Sequence, residues 1–483
     1  MEPADLDRIA FDAMRIRGLL PEFPPQALQE AEQSPADRAP EGEVRDLRDL
    51  PWFAIDNDDT LDVDQLTVAQ PLAGGAVRLC VAVADVDSRV APASAVDTHA
   101  AVNTTSVYTA ARIFPMLPEK LSTQLTSLRE GQERLAVVVD MVVRPDGSVE
   151  SASLYRAAVF NQAQLAYGAV SAWLDGSGQA LPAFTRMPQL EAQLRLHDDV
   201  ASRLRGVRIR RGALQVNTVS ARPVFDKGEL VDLRADEKNR AKDLIADLMI
   251  AANAETARFL RAAGFPSLRR VLDSPRRWDR IVALAAAHGT ALPAQADAPA
   301  LDAFLCERRK ADPAGFADLS LSIVKMLGPG EYAAASADGP APGHFGLAVN
   351  DYAHSTAPNR RFADLVTQRL VKASLHREGP PYGYDVLASI ARQCTLQEDN
   401  ANKVERTVLK AAAAFLLQGR ISQTFDAIVT GAAPKGTYVR IARPLIEGRL
   451  VRGFEDADVG DTLRVRLVGV DVAQSHIDFE RAG

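Results

Sequence analysis

Phe53-Ala54-Ile55-Asp56-Asn57-Asp58-Asp59-Thr60-Leu61-Asp62-Val63-Asp64 is the stretch on which the reading of this chain turns. An apolar run leads straight into nine residues, Asp56 to Asp64, of which five are carboxylates. Like charges this close repel, and a hard divalent cation held through oxygen is the natural counterion. A second strand-like run, Val77 to Val86, follows and ends in another Asp-x-Asp, Asp85 and Asp87. The pattern is that of acids at a strand edge, suited to Mg²⁺ and phosphate chemistry. A solvated acidic loop is the plain alternative. The flanking apolar runs count against it.

Several metal motifs compete for these residues. An EF-hand loop starting at Asp56 needs Gly at its sixth position and Glu at its twelfth. Leu61 and Thr67 stand there, so that reading fails. A haloacid-dehalogenase phosphatase opens with an apolar strand and Asp-x-Asp-x-Thr, which Asp56 to Thr60 match. Asp56 would then be the nucleophile and Asp58 the acid/base. That pattern also needs a later acidic pair after a strand. Asp198-Asp199 follows Leu196-His197 in a polar, helix-like context instead. Asp62 and Asp64 are left without a role.

A third pattern uses them. Asp56, Asp62 and Asp64 are followed in order by Ser106-Val107-Tyr108, Pro115-Met116-Leu117-Pro118, Ser127-Leu128 and Gln164-Leu165-Ala166-Tyr167. Leu248 to Asn253, His344-Phe345-Gly346-Leu347, Tyr352-Ala353-His354 and Thr356 to Leu365 come next, and Glu405 lies on the last long helical run. This succession resembles the ribonuclease II/R family and its catalytic RNB domain, from about residue 50 to the end. In order and size it is nearest to the bacterial ribonuclease II branch. The resemblance implies a Mg²⁺-dependent 3′-to-5′ exoribonuclease, with Mn²⁺ a possible substitute, that takes single-stranded RNA to nucleoside 5′-monophosphates. It implies Asp56, Asp62 and Asp64 as metal and water residues, Asp64 foremost. Arg360 would contact the scissile phosphate and Arg361 the RNA. Tyr167 would stack on the terminal bases with Phe304 as a second jaw, and Glu405 would touch ribose or metal-bound water. The family uses no histidine base, so His344 and His354 read as structural.

The chain departs from the family at two places. Gln65 stands where a further Asp is usual, and an amide offers a carbonyl oxygen without charge. This puts a second metal ion in question. It also keeps open an RNA-binding regulator on a catalytically weak RNB scaffold. The stretch before residue 46 is too short for the two cold-shock barrels of ribonuclease II.

The expected fold is mixed α+β in three parts. Residues 1–45 form a small helical segment, with Leu6, Ile9, Ala10 and Ala13 at helical spacing. Residues 46–418 form the catalytic domain of mixed sheet and helices, with a loop over 291–300. Residues 420–483 hold five short apolar runs separated by Gly, Pro and Asp, a small-barrel pattern resembling an S1-type OB-fold. Tyr438 and Arg440 would give that barrel a stacking face in a basic frame.

Composition sets the remaining bounds. The 483 residues exceed one ordinary core. No apolar run reaches membrane length. The acidic start lacks a signal peptide's pattern. Cys80, Cys306 and Cys394 are too scattered for metal or redox work. A cytoplasmic monomer without a small-molecule cofactor or membrane partner is expected. The net charge of −7 hides two basic stretches, Arg203 to Arg222 and Lys435 to Arg452. Both are candidate phosphate contacts.

Overall fold

The computed structural model describes residues 3–35, 42–217, 220–226, 229–236, 238–313, 315–340, 343–433, 436–457 and 460–482. Two helices open the chain. α1 (Pro3–Ile16) buries Leu6, Ala10, Ala13 and Met14. α2 (Pro25–Gln33) starts on a proline and turns Ala27 and Ala31 inward.

A seven-stranded sheet then carries the functional residues. Its strands are β1 (Arg45–Asp46), β2 (Phe53–Asp56), β3 (Gln65–Pro71), β4 (Val77–Ala84), β7 (Glu133–Val143), β8 (Val149–Phe160) and β9 (Ala163–Ala166). Helix α3 (Ala95–Asn103) and the short ladder β5 (Val107–Tyr108) with β6 (Ile113–Phe114) interrupt the series. Across the sheet the order is β1-β8-β7-β4-β3-β2-β9. The two edge pairings are parallel and the rest antiparallel. Phe53, Ala54 and Ile55 of β2 and Val81 to Ala84 of β4 are all buried. Strands covered on both faces lose the polar alternation of a one-sided sheet.

Helices α4 (Tyr167–Leu174), α5 (Ala183–Arg186) and α6 (Leu190–Arg210) lead to the hairpin β10 (Ser220–Asp226) and β11 (Glu229–Asp236). α7 (Arg240–Ala262) is capped by Asn239, whose side chain accepts from the Lys242 N–H at 2.9 Å. It packs beside α6 and across the sheet. β12 (Ser267–Val271) and β13 (Glu331–Ala335) pair antiparallel. Between them, α8 (Trp278–Ala287), α9 (Ala298–Ala311) and α10 (Phe316–Leu327) build their own small core. The expected loop over 291–300 therefore ends early, because Asp297 caps α9 through the Ala300 N–H at 2.8 Å. The two-residue strands β14 (Gly343–His344) and β15 (Val349–Asn350) precede α11 (Phe362–Leu375) and the 34-residue α12 (Tyr384–Leu417).

The tail closes as a barrel of β16 (Thr424–Ala433), β17 (Gly436–Ala442), β18 (Leu445–Arg452), β19 (Thr462–Asp471) and β20 (His476–Arg481). Its inward positions alternate along β17, β18 and β19. Its core continues into α12 and α1 without a break. The opening helix and the barrel are thus held by one long helix.

Candidate active site

Asp56 ends β2 and Gln65 begins β3, so the acidic stretch is the connection between two adjacent strands. Its path is pinned from both sides. Ser127 Oγ accepts from the Val63 N–H at 2.9 Å and donates to the Leu61 carbonyl at 2.7 Å. The Leu128 N–H reaches the Val63 carbonyl at 2.9 Å, and the Gln164 amide reaches the Thr60 carbonyl at 3.0 Å. Buried backbone groups need such partners. The motif pieces Ser127-Leu128 and Gln164 are therefore the fastenings of the acid loop.

Asp64 is buried, 3% exposed, and points at the segment that enters α11. One carboxylate oxygen accepts the Asn359 N–H at 3.1 Å, and Arg360 Nε lies 3.4 Å from the other. Burial, only partly offset by Arg360 and reinforced by Asp62, pushes the Asp64 carboxyl up to about 7. Burial also raises Asp56 and Asp62, and each lies in the field of Arg360. Asp58 and Asp59 stay exposed at the tip of the connection.

The Arg360 segment is fixed just as firmly. Its carbonyl accepts from the Ser106 N–H at 3.0 Å. The Asn253 side chain of α7 accepts from the Ser355 N–H and hydroxyl, both at 2.8 Å. Asp364, fully buried, accepts the Ala357 N–H at 2.8 Å. Arg361 pairs with that same carboxylate at 2.7 Å, so it is held in the helix start. His354 is buried and its Nδ1 lies 2.8 Å from the Tyr332 hydroxyl; burial drives its pKa well down. His344 is likewise lowered by burial, to about 4. Neither sits among the acids.

Two tyrosines face the cluster. The Tyr167 phenol, at the start of α4, is raised by burial and by the charge of Asp56. Tyr108 is 41% exposed. Burial of its phenol raises the pKa, and Arg360, Asp62, Asp64 and Asp56 all act on it. Sequence reasoning gave Tyr108 no role, although its motif was in view; its exposure beside Arg360 is the missing signal. Glu405 of α12 accepts the Tyr108 N–H at 2.9 Å, and burial raises its carboxyl. It positions Tyr108 from behind. Asn359 was also missed. It is 1% exposed and its Oδ1 accepts from the Thr126 hydroxyl at 2.6 Å.

Other expected residues fall elsewhere. Phe304 is 1% exposed inside the small core of α8, α9 and α10, so neither ring face is open to a base. Asp85 and Asp87 already have cations. Asp85 binds Arg156 at 2.8 Å and Lys372 at 3.0 Å; Asp87 binds Lys372 at 2.6 Å and Arg369 at 3.0 Å. They leave no charge for a metal. In the first basic stretch, Arg203 pairs with Asp199, and Arg205 and Arg208 pair with Asp247. In the second, Arg440 reaches Asp318 of α10 at 2.8 Å and Arg452 reaches Glu480. Lys435 lies outside the described residues. Tyr438 is 37% exposed and lines a shallow cavity of about 290 Å³ with Lys410 and Arg449.

The acids of the cluster outnumber Arg360, which fits a cation. Among the described residues, however, no three acidic, imidazole or thiol groups converge on one point. The donor set suits a hard cation that keeps several waters.

An acid loop facing an arginine across a mixed sheet, with a barrel packed on the last helix, defines an architecture of two joined modules. The RNB domain pattern matches residues 44–377, and that of the RNase II-type exonuclease C-terminal S1 domain matches residues 423–482. The chain belongs to the RNB family. This removes the phosphatase reading, in which Asp58 had to work from what is an exposed loop tip. Ribonuclease R of Escherichia coli is 28% identical over 503 residues, covering 95% of this chain and 60% of that protein. Ribonuclease R of Vibrio parahaemolyticus is 28% identical over 90% of this chain and 55% of its own length. Exoribonuclease 2 of Cronobacter sakazakii is 32% identical over 69% of this chain and 51% of its own length. The chain thus spans little more than half the length of these relatives. The fold matches Mycoplasma genitalium RNase R in complex with ribose-methylated single-stranded RNA, with TM-score 0.86 at 21% identity, covering 99% of this chain and 78% of that one. Yeast Ssd1, a pseudonuclease, matches with TM-score 0.73 at 18% identity. No helix among the described residues is long and apolar enough to cross a membrane.

Proposed function

We propose that this chain is a metal-dependent exoribonuclease that removes nucleotides from the 3′ end of single-stranded RNA as 5′-monophosphates. The observation that carries the reading is the buried Asp64 set between the Asn359 N–H and Arg360, with Asp56 and Asp62 on the same loop. Arg360 can take two phosphate oxygens in its planar fork and offset charge that builds as the phosphate is attacked. Its half-exposed side chain leaves the fork open to a ligand. Asp56, Asp62 and Asp64 would hold Mg²⁺, or Mn²⁺ in its place. That ion would supply Lewis acidity and a nucleophilic water. Tyr167 and Tyr108 are the aromatic surfaces beside the scissile phosphate. Stacking does not depend on base identity, which suits an enzyme that meets every sequence.

A second reading is supported by Gln65, whose amide offers a carbonyl oxygen without charge beside the acid loop. In it the chain binds RNA without turnover. Single-stranded RNA labelled at one end or the other, incubated with Mg²⁺ and with EDTA, separates the two. Mononucleotide released first from the 3′ end, and lost with EDTA, supports the exonuclease. Tight binding with no release in Mg²⁺ or Mn²⁺ supports the binder.

A further inference from the structure

A second polar site lies away from the acid cluster, between α6, α7 and the turn at β15. One cavity of about 590 Å³ is lined by Arg211, Arg258 and Arg261 together with Asn350 and Asp351. A neighbouring cavity of about 270 Å³ shares Arg211 and Arg258 with it. This second space has an aliphatic wall of Val149, Leu204, Val207, Ile250, Ala254 and Val349, and a polar wall where Arg208 and Arg258 lie with their partners Asp247 and Glu255. The two spaces adjoin at the shared arginines, and together they are large enough for a small ligand.

The charges are unbalanced. Arg205 and Arg208 share Asp247, Arg258 pairs with Glu255, and Arg261 and Arg269 share Asp351. Arg211 has no carboxylate partner among the described residues. Four guanidiniums and three carboxylates line the two spaces, and two of those carboxylates are shared with Arg205 and Arg269 from outside, so positive charge is in excess. Two buried guanidinium donors also lack an acceptor, Arg261 Nη2 and Arg208 Nε. Arg261 lines the larger cavity and Arg208 the smaller. Buried N–H groups without partners are uncommon and mark places where an acceptor is missing. Clustered guanidiniums match phosphate oxygens in charge and geometry.

We propose that this pair of cavities binds a free nucleoside 5′-phosphate. The arginine cavity takes the phosphate and the aliphatic slot takes the base. The site is independent of the nuclease reading, because none of its residues touches Asp56, Asp62, Asp64 or Arg360. The slot has no aromatic ring and no built hydrogen-bond pattern for one base, so purine and pyrimidine nucleotides enter alike.

The test is calorimetric titration of the full chain with GDP, UDP, guanosine and inorganic pyrophosphate. Both nucleotides should bind, and guanosine should bind at least about tenfold more weakly. Arg211→Gln and Arg258→Gln should each weaken the nucleotides by a similar factor. Ala254→Leu, which narrows the slot, should weaken the nucleotides and leave pyrophosphate unchanged. Asp62→Asn in the acid cluster should leave all of them unchanged. Thermal melts identify any variant that fails to fold, and Arg211→Gln, at an exposed residue without a partner, is the variant least exposed to that risk. Nucleotide binding that is absent, or insensitive to both arginine variants, overturns the proposal. So does binding that responds to Asp62→Asn but not to Arg258→Gln, which would place the nucleotide in the acid cluster. A 5′-phosphorylated oligoribonucleotide that competes fully with GDP on the wild-type chain but not on Arg258→Gln would give the site to an RNA end and overturn it as well.

Discussion

Asp64 is the residue whose surroundings say most about its work. It is buried, yet its only positive neighbour among the described residues is an arginine at 3.4 Å that is itself half-exposed. Asp64→Asn keeps the shape and one hydrogen-bond acceptor while removing the charge. Hydrolysis should fall by at least about three orders of magnitude, on the order of 4 kcal/mol in the barrier. RNA affinity should hold or rise, because repulsion of phosphate is relieved. Filter binding and single-turnover degradation on the same preparation check both halves. Turnover near wild type would remove this loop from the chemistry. Arg360→Lys should lower the single-turnover rate more than it weakens binding, since an ammonium cannot form the planar two-point contact. A loss confined to affinity would make Arg360 a tether.

The legibility of these residues follows from where their partners lie. Asp56, Asp62 and Asp64 sit on one short loop, so spacing alone brought them together. Arg360 came with a contiguous motif. Phe304 was unreadable, because which face of α9 is buried is set by α8 and α10 packing against it. The ion pair of Arg361 was out of reach for the same reason at shorter range: its partner Asp364 lies one helical turn on, and sequence cannot say that the carboxylate is sealed from water. Tyr108 is held beside the acids in part by Glu405, 297 residues later, which accepts its backbone N–H.

At the scale of elements, strand and helix positions were accessible from periodicity, and what each element is fastened to was not. The five apolar runs of the tail became five strands of a closed barrel. Arg440, on β17, was expected to face RNA and instead reaches across to Asp318 on α10 at 2.8 Å, with both side chains mostly buried. Removing one partner of such a bond leaves the other charge poorly solvated. Arg440→Ala should cost about 1 to 3 kcal/mol of stability. Asp318→Ala added to it should cost less than the sum of the two single changes. A thermal double-mutant cycle with no coupling would mean that this bond adds nothing to the docking of the barrel. The open face of the barrel is left to Tyr438, Lys410 and Arg449. Arg449→Gln should lower the slope of log affinity against log salt by roughly 0.7 if it meets one phosphate of a single strand. An unchanged slope would make it plain solvated surface.

The whole molecule carries an acid sensitivity that no stretch of sequence announces. Four histidines, His99, His197, His344 and His354, are held below their ordinary pKa by burial. His197 is the clearest case. It is 0% exposed at the seam between α6 and β3, with Nε2 2.9 Å from the Thr67 hydroxyl and Nδ1 2.6 Å from the Gln193 carbonyl. Its ring meets the Phe53 ring edge-on at 4.9 Å. Burial lowers it from 6.5 to about 4. In the unfolded chain it takes a proton once the pH falls below about 6.5, and in the folded chain only near 4. Between those values the unfolded state binds more protons, so stability falls as the pH is lowered through that window. Below it both states are charged and this residue adds no further loss. The contribution of His197 at the bottom of the window is on the order of a few kcal/mol. His197→Gln can donate to the Gln193 carbonyl and accept from the Thr67 hydroxyl without ever being charged. The variant should be less stable than wild type at pH 7.5, through poorer packing against Phe53. It should also lose less on going to pH 5. Urea midpoints of both proteins at the two pH values give the comparison, and acid carboxylates common to both cancel in the difference. An equal drop in both proteins would mean that His197 is protonated in the folded state at pH 5, and that water reaches the seam between the sheet and α6.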